Sequence, residues 1–174
     1  MVPLSTSDLN NPSTFPTFLN LPNEYEINDS YYSSAKPRKH WCFLGRVVSS
    51  DVTVRLMLQV EDKKGHKILV ALHTDDRGTA LQGMCKPGST IAVLYATQHI
   101  FPFSPPGLKL EETAHVKILP YALEAMLKTS KAIFERSRVA KCEVCGRMDA
   151  GVKKCARCKT AWYCSKASPL KHVT

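Results

Sequence analysis

The chain has little with which to enter or cross a membrane. Its longest unbroken apolar run is Ile91 to Ala96, far below the roughly 20 residues that a spanning helix requires. The first twenty residues, MVPLSTSDLNNPSTFPTFLN, lack the basic start and apolar stretch of a signal peptide. The expectation is an intracellular protein, nuclear or cytoplasmic, with no membrane partner. Reduced thiols suit that setting.

Signatures of catalysis are missing as well. There is no G-x-S-x-G elbow, no phosphate-cradling glycine loop and no pair of carboxylates at a meaningful spacing. The six histidines are scattered, and neither His73 nor His99 can be given a nucleophile or acid partner. A non-enzyme is expected. Basic residues are absent from 1–35, which holds four acids, whereas the whole chain carries a net charge of +9. The excess is densest per residue from 121 onward, a bias that suits polyanions or acidic protein surfaces without defining a site.

Cysteine is scarce until the C-terminal region, where five of the seven fall between 142 and 164. They read Cys142-x2-Cys145, nine residues, Cys155-x2-Cys158, five residues, Cys164. Each CxxC offers two thiolates from one tight turn, and a tetrahedral Zn²⁺ takes four ligands, with sulfur at about 2.3 Å. Gly146, Gly151 and the polar residues around them could not bury a core unaided, so the module is expected to be held by Zn²⁺. A disulfide framework would need an oxidising compartment, to which nothing in the sequence points.

The run Lys154-Cys-Ala-Arg-Cys-Lys-Thr-Ala-Trp-Tyr-Cys-Ser-Lys166, with Cys142-Glu-Val-Cys145 before it, resembles the first half of a MYND-type zinc finger. The aromatic pair before the fifth cysteine is the specific part of the likeness. The resemblance implies interleaved ligands: Cys142, Cys145 and Cys164 at one site, and Cys155 and Cys158 at another, where His172 is the candidate to join them. Ser168 stands where the family places a sixth cysteine, so the finger is expected to be truncated after its fifth. Collapse of the two CxxC pairs onto one zinc is the alternative. The resemblance further implies a non-catalytic protein-interaction module that recognises short proline-containing peptides, with Lys159, Thr160 and Trp162 near the peptide.

Upstream, the pattern divides the chain. Residues 1–37 carry five of the eleven prolines, which interrupt helix and central strand alike, so a flexible N-terminal segment is expected, in which Phe15, Phe18, Leu19 and Tyr25 could still dock on the next domain. Residues 38–120 read as strands: Trp41 to Val48, Val52 to Val60 in strict alternation, Lys67 to His73, Thr90 to His99, and a final strand from Leu108 to Leu119 with an interruption. A weakly helical stretch around Thr79 to Met84 separates the third from the fourth. This order predicts a mainly β chain with an OB-like five-stranded barrel, then a linker helix over 121–141 and a small zinc-finger module over 142–174. The segments His40–Gly45, Thr74–Gly78, Lys86–Gly88 and Ala92–Ala96 also resemble the β-domain that precedes MYND fingers in fungal proteins.

The alternative function is single-stranded nucleic-acid binding through the OB-like domain and the basic C-terminal third, since an OB barrel can bind such strands through a basic groove and stacked aromatics. Lys36, Arg38 and Lys39 beside the first strand, and Phe101 and Phe103 in the Pro-rich loop, are the candidates. Trp41 and Phe43 share a face and read as core, while Cys42 and Cys85 read as isolated buried thiols.

Overall fold

The computed structural model of the chain describes residues 8–25, 30–33 and 36–164. They fall into two compact units: Leu9–Leu127, and Asp8 together with 128–164.

Alternating apolar residues build the larger unit. After a short antiparallel pair, β1 (Tyr32–Ser33) and β2 (Lys36–Pro37), the chain forms a meander of β3 (Cys42–Asp51), β4 (Met57–Asp62) and β5 (Lys67–Leu72). A one-turn helix α1 (Thr79–Gln82) leads to β6 (Thr90–Leu94), which pairs antiparallel with β3. The last strand is split into β7 (Leu108–Leu110) and β8 (Val116–Leu119). β7 lies parallel to β5, whereas β8 lies antiparallel to β6. The sheet order is therefore β7-β5-β4-β3-β6-β8. Its two edge strands are successive pieces of one strand, joined through a 3-10 turn at Thr113–His115, so the sheet curls back on itself. A three-strand meander, a helix, and two strands that close on both sides of it is the OB arrangement. The expected five strands become six because the final one is interrupted.

The inward face supplies the core. Phe43, Val47, Leu56, Leu58, Val60, Val70, Leu72, Ile91 and Leu108 have no accessible surface, and Trp41 is also buried. Burying each such side chain is worth about 1.5–3 kcal/mol. Trp41 does more than fill space. Its carbonyl accepts the Tyr95 N–H at 3.0 Å, and its indole N–H donates to the Ala96 carbonyl at 2.9 Å. These bonds hold Tyr95 in a left-handed conformation, φ 54°, which is why the strand expected to run to His99 stops at Leu94. Similarly, the strand expected from Val52 begins only at Met57. The Asp51 carboxylate accepts the Thr53 N–H at 3.1 Å and its hydroxyl at 2.9 Å, turning the chain so that Val52 and Val54 are exposed.

The loop between β6 and β7 returns at Gly107, where a Cβ would lie 2.2 Å from the Leu69 carbonyl oxygen. Only glycine allows that approach. At α1, the Asp76 carboxylate accepts N–H bonds from Gly78 at 3.0 Å and Ala80 at 2.9 Å, which caps the start of the helix.

Where a flexible lead-in is expected, the described residues from Leu9 to Tyr25 instead lie along the barrel. Phe18 and Leu21 join the core cluster with Tyr31. The Cys42 N–H donates to the Thr14 carbonyl at 2.8 Å, and the Gln98 N–H to that of Pro22 at 2.8 Å. The deepest tie is Asp62, whose side chain is 1% exposed. It accepts the Phe18 N–H at 2.9 Å, the Lys64 N–H at 2.8 Å and the His66 N–H at 3.0 Å. Burial alone would raise this carboxyl, but the donors from Phe18, His66 and Lys64 outweigh it and hold its pKa below the ordinary aspartate value. Five prolines do not keep a segment loose when its apolar residues find a core and its N–H groups find acceptors.

The helix expected over 121–141 is α2 (Leu123–Arg138), and the boundary between the units falls within it. Its first turn belongs to the barrel unit: Leu123 is buried, and Glu124 lies 3.4 Å from Arg46. The remainder belongs with the cysteine-rich segment. There, β9 (Lys153–Lys154) and β10 (Trp162–Tyr163) form an antiparallel pair. Among the described residues, no helix is long and apolar enough to cross a membrane.

Candidate metal centre

Two turns of the same design present the thiols. In the first, the Gly146 N–H donates to the Cys142 carbonyl at 2.9 Å; in the second, the Lys159 N–H donates to that of Cys155 at 3.0 Å. The residue after each CxxC takes a left-handed conformation, φ 75° at Gly146 and 60° at Lys159. Each turn aims its two cysteines to one side. The second turn uses lysine where the first uses glycine and bears the steric strain of that choice.

The sulfurs that meet are those of the first pair and the fifth cysteine. The Sγ atoms of Cys142, Cys145 and Cys164 all lie within 4.8 Å of one another, with Cys164 3.6 Å from each of the other two. An isolated bridge between Cys142 and Trp162 and the bond from the Glu143 N–H to the Trp162 carbonyl, 2.9 Å, draw β10 beside the first turn. Cys164 arrives there because it follows β10 directly. This is the interleaved grouping that the MYND resemblance implies, not a grouping of the two CxxC pairs. Cys155 and Cys158 form a second pair apart from it. His172 lies outside the described residues.

The donor set suits a soft divalent metal. Three thiols at this spacing are chelating sulfur ligands, and thiolate sulfur selects Zn²⁺ over hard cations. Backbone N–H groups favour the ionised form. The Cys142 thiol is lowered to about 6, first by the N–H of Cys145. Cys158 is lowered to about 6, first by the hydroxyl of Thr160, which donates to its Sγ at 3.3 Å. Cys42 and Cys85 behave oppositely, pushed up to about 11 by burial. They are inert thiols of the barrel.

The residues expected to meet a peptide do not form one open face. Lys159 is the exposed corner of the second turn, and Thr160 turns its hydroxyl to Cys158. Trp162 is half-buried, its indole N–H bonded to the Ser137 carbonyl at 3.1 Å and its ring 5.2 Å from the Lys154 ammonium. A recess of about 320 Å³ opens instead between α2 and β10, lined by Ile133, Arg136, Glu143, Thr160, Ala161 and Tyr163. Of these, only Thr160 was a sequence candidate. No local motif marks the others, because the recess exists only once β10 is set beside the helix.

On the barrel, Trp41 and Phe43 are core, as their shared face suggests. Phe103 is fully exposed, whereas Phe101 packs edge-on against His99, ring centroids 4.6 Å apart. Arg38 is exposed. The Lys39 ammonium sits 3.9 Å from the Tyr31 ring centre. Lys36 lies on β2.

The sulfur cluster, its two turns and the short hairpin define a zinc-finger-type module. Residues 142–173 match the family model of the MYND finger, and this C-terminal segment is a MYND-type finger. Among curated proteins, none matches the chain. Three solved structures resemble it weakly. Schizosaccharomyces pombe Pot1pC bound to ssDNA is 12% identical, covering 62% of this chain and 99% of its own, with a TM-score of 0.40. The S. pombe Stn1-Ten1 complex is 15% identical, covering 71% and 90%, at 0.39. A replication protein A heterotrimer bound to ssDNA is 11% identical, covering 66% and 83%, at 0.38. Likenesses of this strength carry no argument about ligands, and the barrel assignment rests on the strand order.

Proposed function

We propose that this chain is a zinc-binding, non-catalytic protein-interaction module, in which the MYND-like finger recognises short proline-containing peptides. The observation that carries the reading is the convergence of Cys142, Cys145 and Cys164. A structural Zn²⁺ takes four ligands, and these three would be thiolates of one site. Cys155 and Cys158, with His172 as candidate, belong to a second site in the same reading. Bound metal would contribute folding energy to a segment with few buried apolar residues, fixing β10 and the recess beside it. Peptide titration of the full chain before and after zinc removal tests this: binding that requires zinc supports it, and binding indifferent to zinc counts against it.

A second reading, single-stranded nucleic-acid binding, is favoured by one observation. The loop of residues 95–107 corresponds in strand order to the loop that flanks the binding face of OB folds, and it carries the fully exposed Phe103. Phe101, Lys36, Arg38 and Lys39 are its other candidates. Salt decides here: phosphate contacts make affinity fall steeply with ionic strength. Absence of any binding to single-stranded DNA or RNA at low salt removes this reading.

A further inference from the structure

The recess beside the finger gives the peptide reading a place and a chemistry. Trp162 is not among the residues that line the recess; its indole is tied to the Ser137 carbonyl instead. Ile133, Ala161 and Tyr163 supply apolar surface, and the volume of about 320 Å³ is at the low end for a ligand site. That is room for one or two side chains of an extended segment rather than a large cofactor. One wall is charged. Arg136 is bonded through Nε and Nη2 to the two carboxylate oxygens of Glu143. This bidentate pair uses two of the guanidinium's five N–H donors. Glu143 is largely covered and Arg136 is not, with side chains 14% and 66% exposed. The acid therefore serves as a fixed rest that orients the base toward solvent.

We propose that this recess docks an acidic linear peptide: an apolar side chain settles against Ile133, Ala161 and Tyr163, and a neighbouring carboxylate takes the outward N–H groups of Arg136. The proposal rests on the reading of the finger as a peptide-binding module and adds where the peptide lies and which charge it carries. Charge complementarity argues for the acid. Residues 128–164 hold ten Lys and Arg against three Asp and Glu, so an anionic segment is attracted from a distance and a cationic one repelled. Arg136 determines specificity because a planar fork recognises a carboxylate through two parallel bonds, which a lysine cannot reproduce. Glu143 is a positioning residue.

The test uses the full, zinc-loaded chain. A random ten-residue peptide library is selected on it and on the zinc-stripped protein, and the enriched peptides are measured by fluorescence polarisation against the parent, Arg136→Gln, Arg136→Lys and Glu143→Gln. Zinc content of each variant confirms that the finger is intact. The expected result is enrichment of Asp or Glu beside an aliphatic residue. Affinity should fall roughly tenfold or more for Arg136→Gln, as loss of a charge-assisted pair implies, and nearly as much for Arg136→Lys. Amide shifts on binding should centre on Thr160 and Tyr163. If zinc-dependent peptides emerge without an acidic residue and bind Arg136→Gln as well as the parent, this inference falls and the peptide reading stands. If no peptide is enriched over the zinc-stripped control, both fall. If a single-stranded oligonucleotide displaces the selected peptides with the same dependence on Arg136, the recess belongs to nucleic acid and the proposal is overturned.

Discussion

Replacing Asp62 should loosen the tie between the N-terminal segment and the barrel. The carboxylate is almost wholly buried and accepts three backbone N–H bonds, with His66 Nδ1 at 3.0 Å as a further partner. Asp62→Ala removes every one of these acceptors. The bond to the Phe18 N–H is buried, whereas those to Lys64 and His66 are part-buried and their donors can turn to water. A buried donor left unpaired costs about 1–3 kcal/mol, so with smaller losses at the other two the total should be about 3 kcal/mol. Asp62→Asn keeps one acceptor oxygen and should cost about half as much. The pH dependence follows from the lowered pKa. A carboxyl whose folded value lies below its unfolded value, near 3.9, contributes stability above the unfolded value and loses it as pH falls through the folded one. The parent should therefore show constant stability from this group above about pH 5 and a decline below, as linkage requires. Asp62→Asn should show a shallower decline. Urea unfolding followed by Trp41 fluorescence, in a Trp162→Phe background so that only the barrel reports, measures both. A loss below about 1 kcal/mol at pH 7 for Asp62→Ala, or an unchanged acid limb in Asp62→Asn, would refute the reasoning.

Three further substitutions probe other joints. Lys159→Gly should relieve the left-handed strain of the second turn by about 1 kcal/mol, seen as slower loss of zinc to a chelator. Gly107→Ala should destabilise the barrel by about 2 kcal/mol or more, since its Cβ would meet a backbone oxygen that cannot move without disturbing β5; thermal unfolding reads this. Phe103→Ala should leave stability within about 0.5 kcal/mol, as befits an exposed side chain, while weakening any single-strand affinity by about 1–3 kcal/mol if bases stack there.

Much of this was written in the sequence, and the exceptions have physical causes. The meander was legible because Leu56, Leu58 and Val60 recur at every second position, and the interruption of the last strand showed between Glu112 and His115. Strand ends were not legible. Asp51 stops one strand by bonding its own downstream backbone, and the positive φ of Tyr95 stops another, held by contacts from a tryptophan 54 residues earlier. Phe18 was legible as a residue able to dock on the barrel, but the anchor of its backbone, Asp62, was hidden because it lies 44 residues away in sequence. At the finger, CxxC spacing singled out the two cysteine turns because each pair is local in sequence. The gathering of Cys164 with the first pair came from family likeness, since spacing alone left the collapsed four-cysteine site open. The recess lined by Ile133, Arg136 and Tyr163 had no signal, because it is formed by α2 and β10, which are distant in sequence.

The most direct test of the account is the zinc content of the purified full chain beside Cys155→Ser and Cys164→Ser. The account predicts that Cys164→Ser loses zinc, because Cys164 is a ligand shared with Cys142 and Cys145, and that Cys155→Ser leaves that site filled. Zinc unchanged in Cys164→Ser but lost in Cys155→Ser would mean that the two CxxC pairs hold one ion between them, and the interleaved site would be wrong.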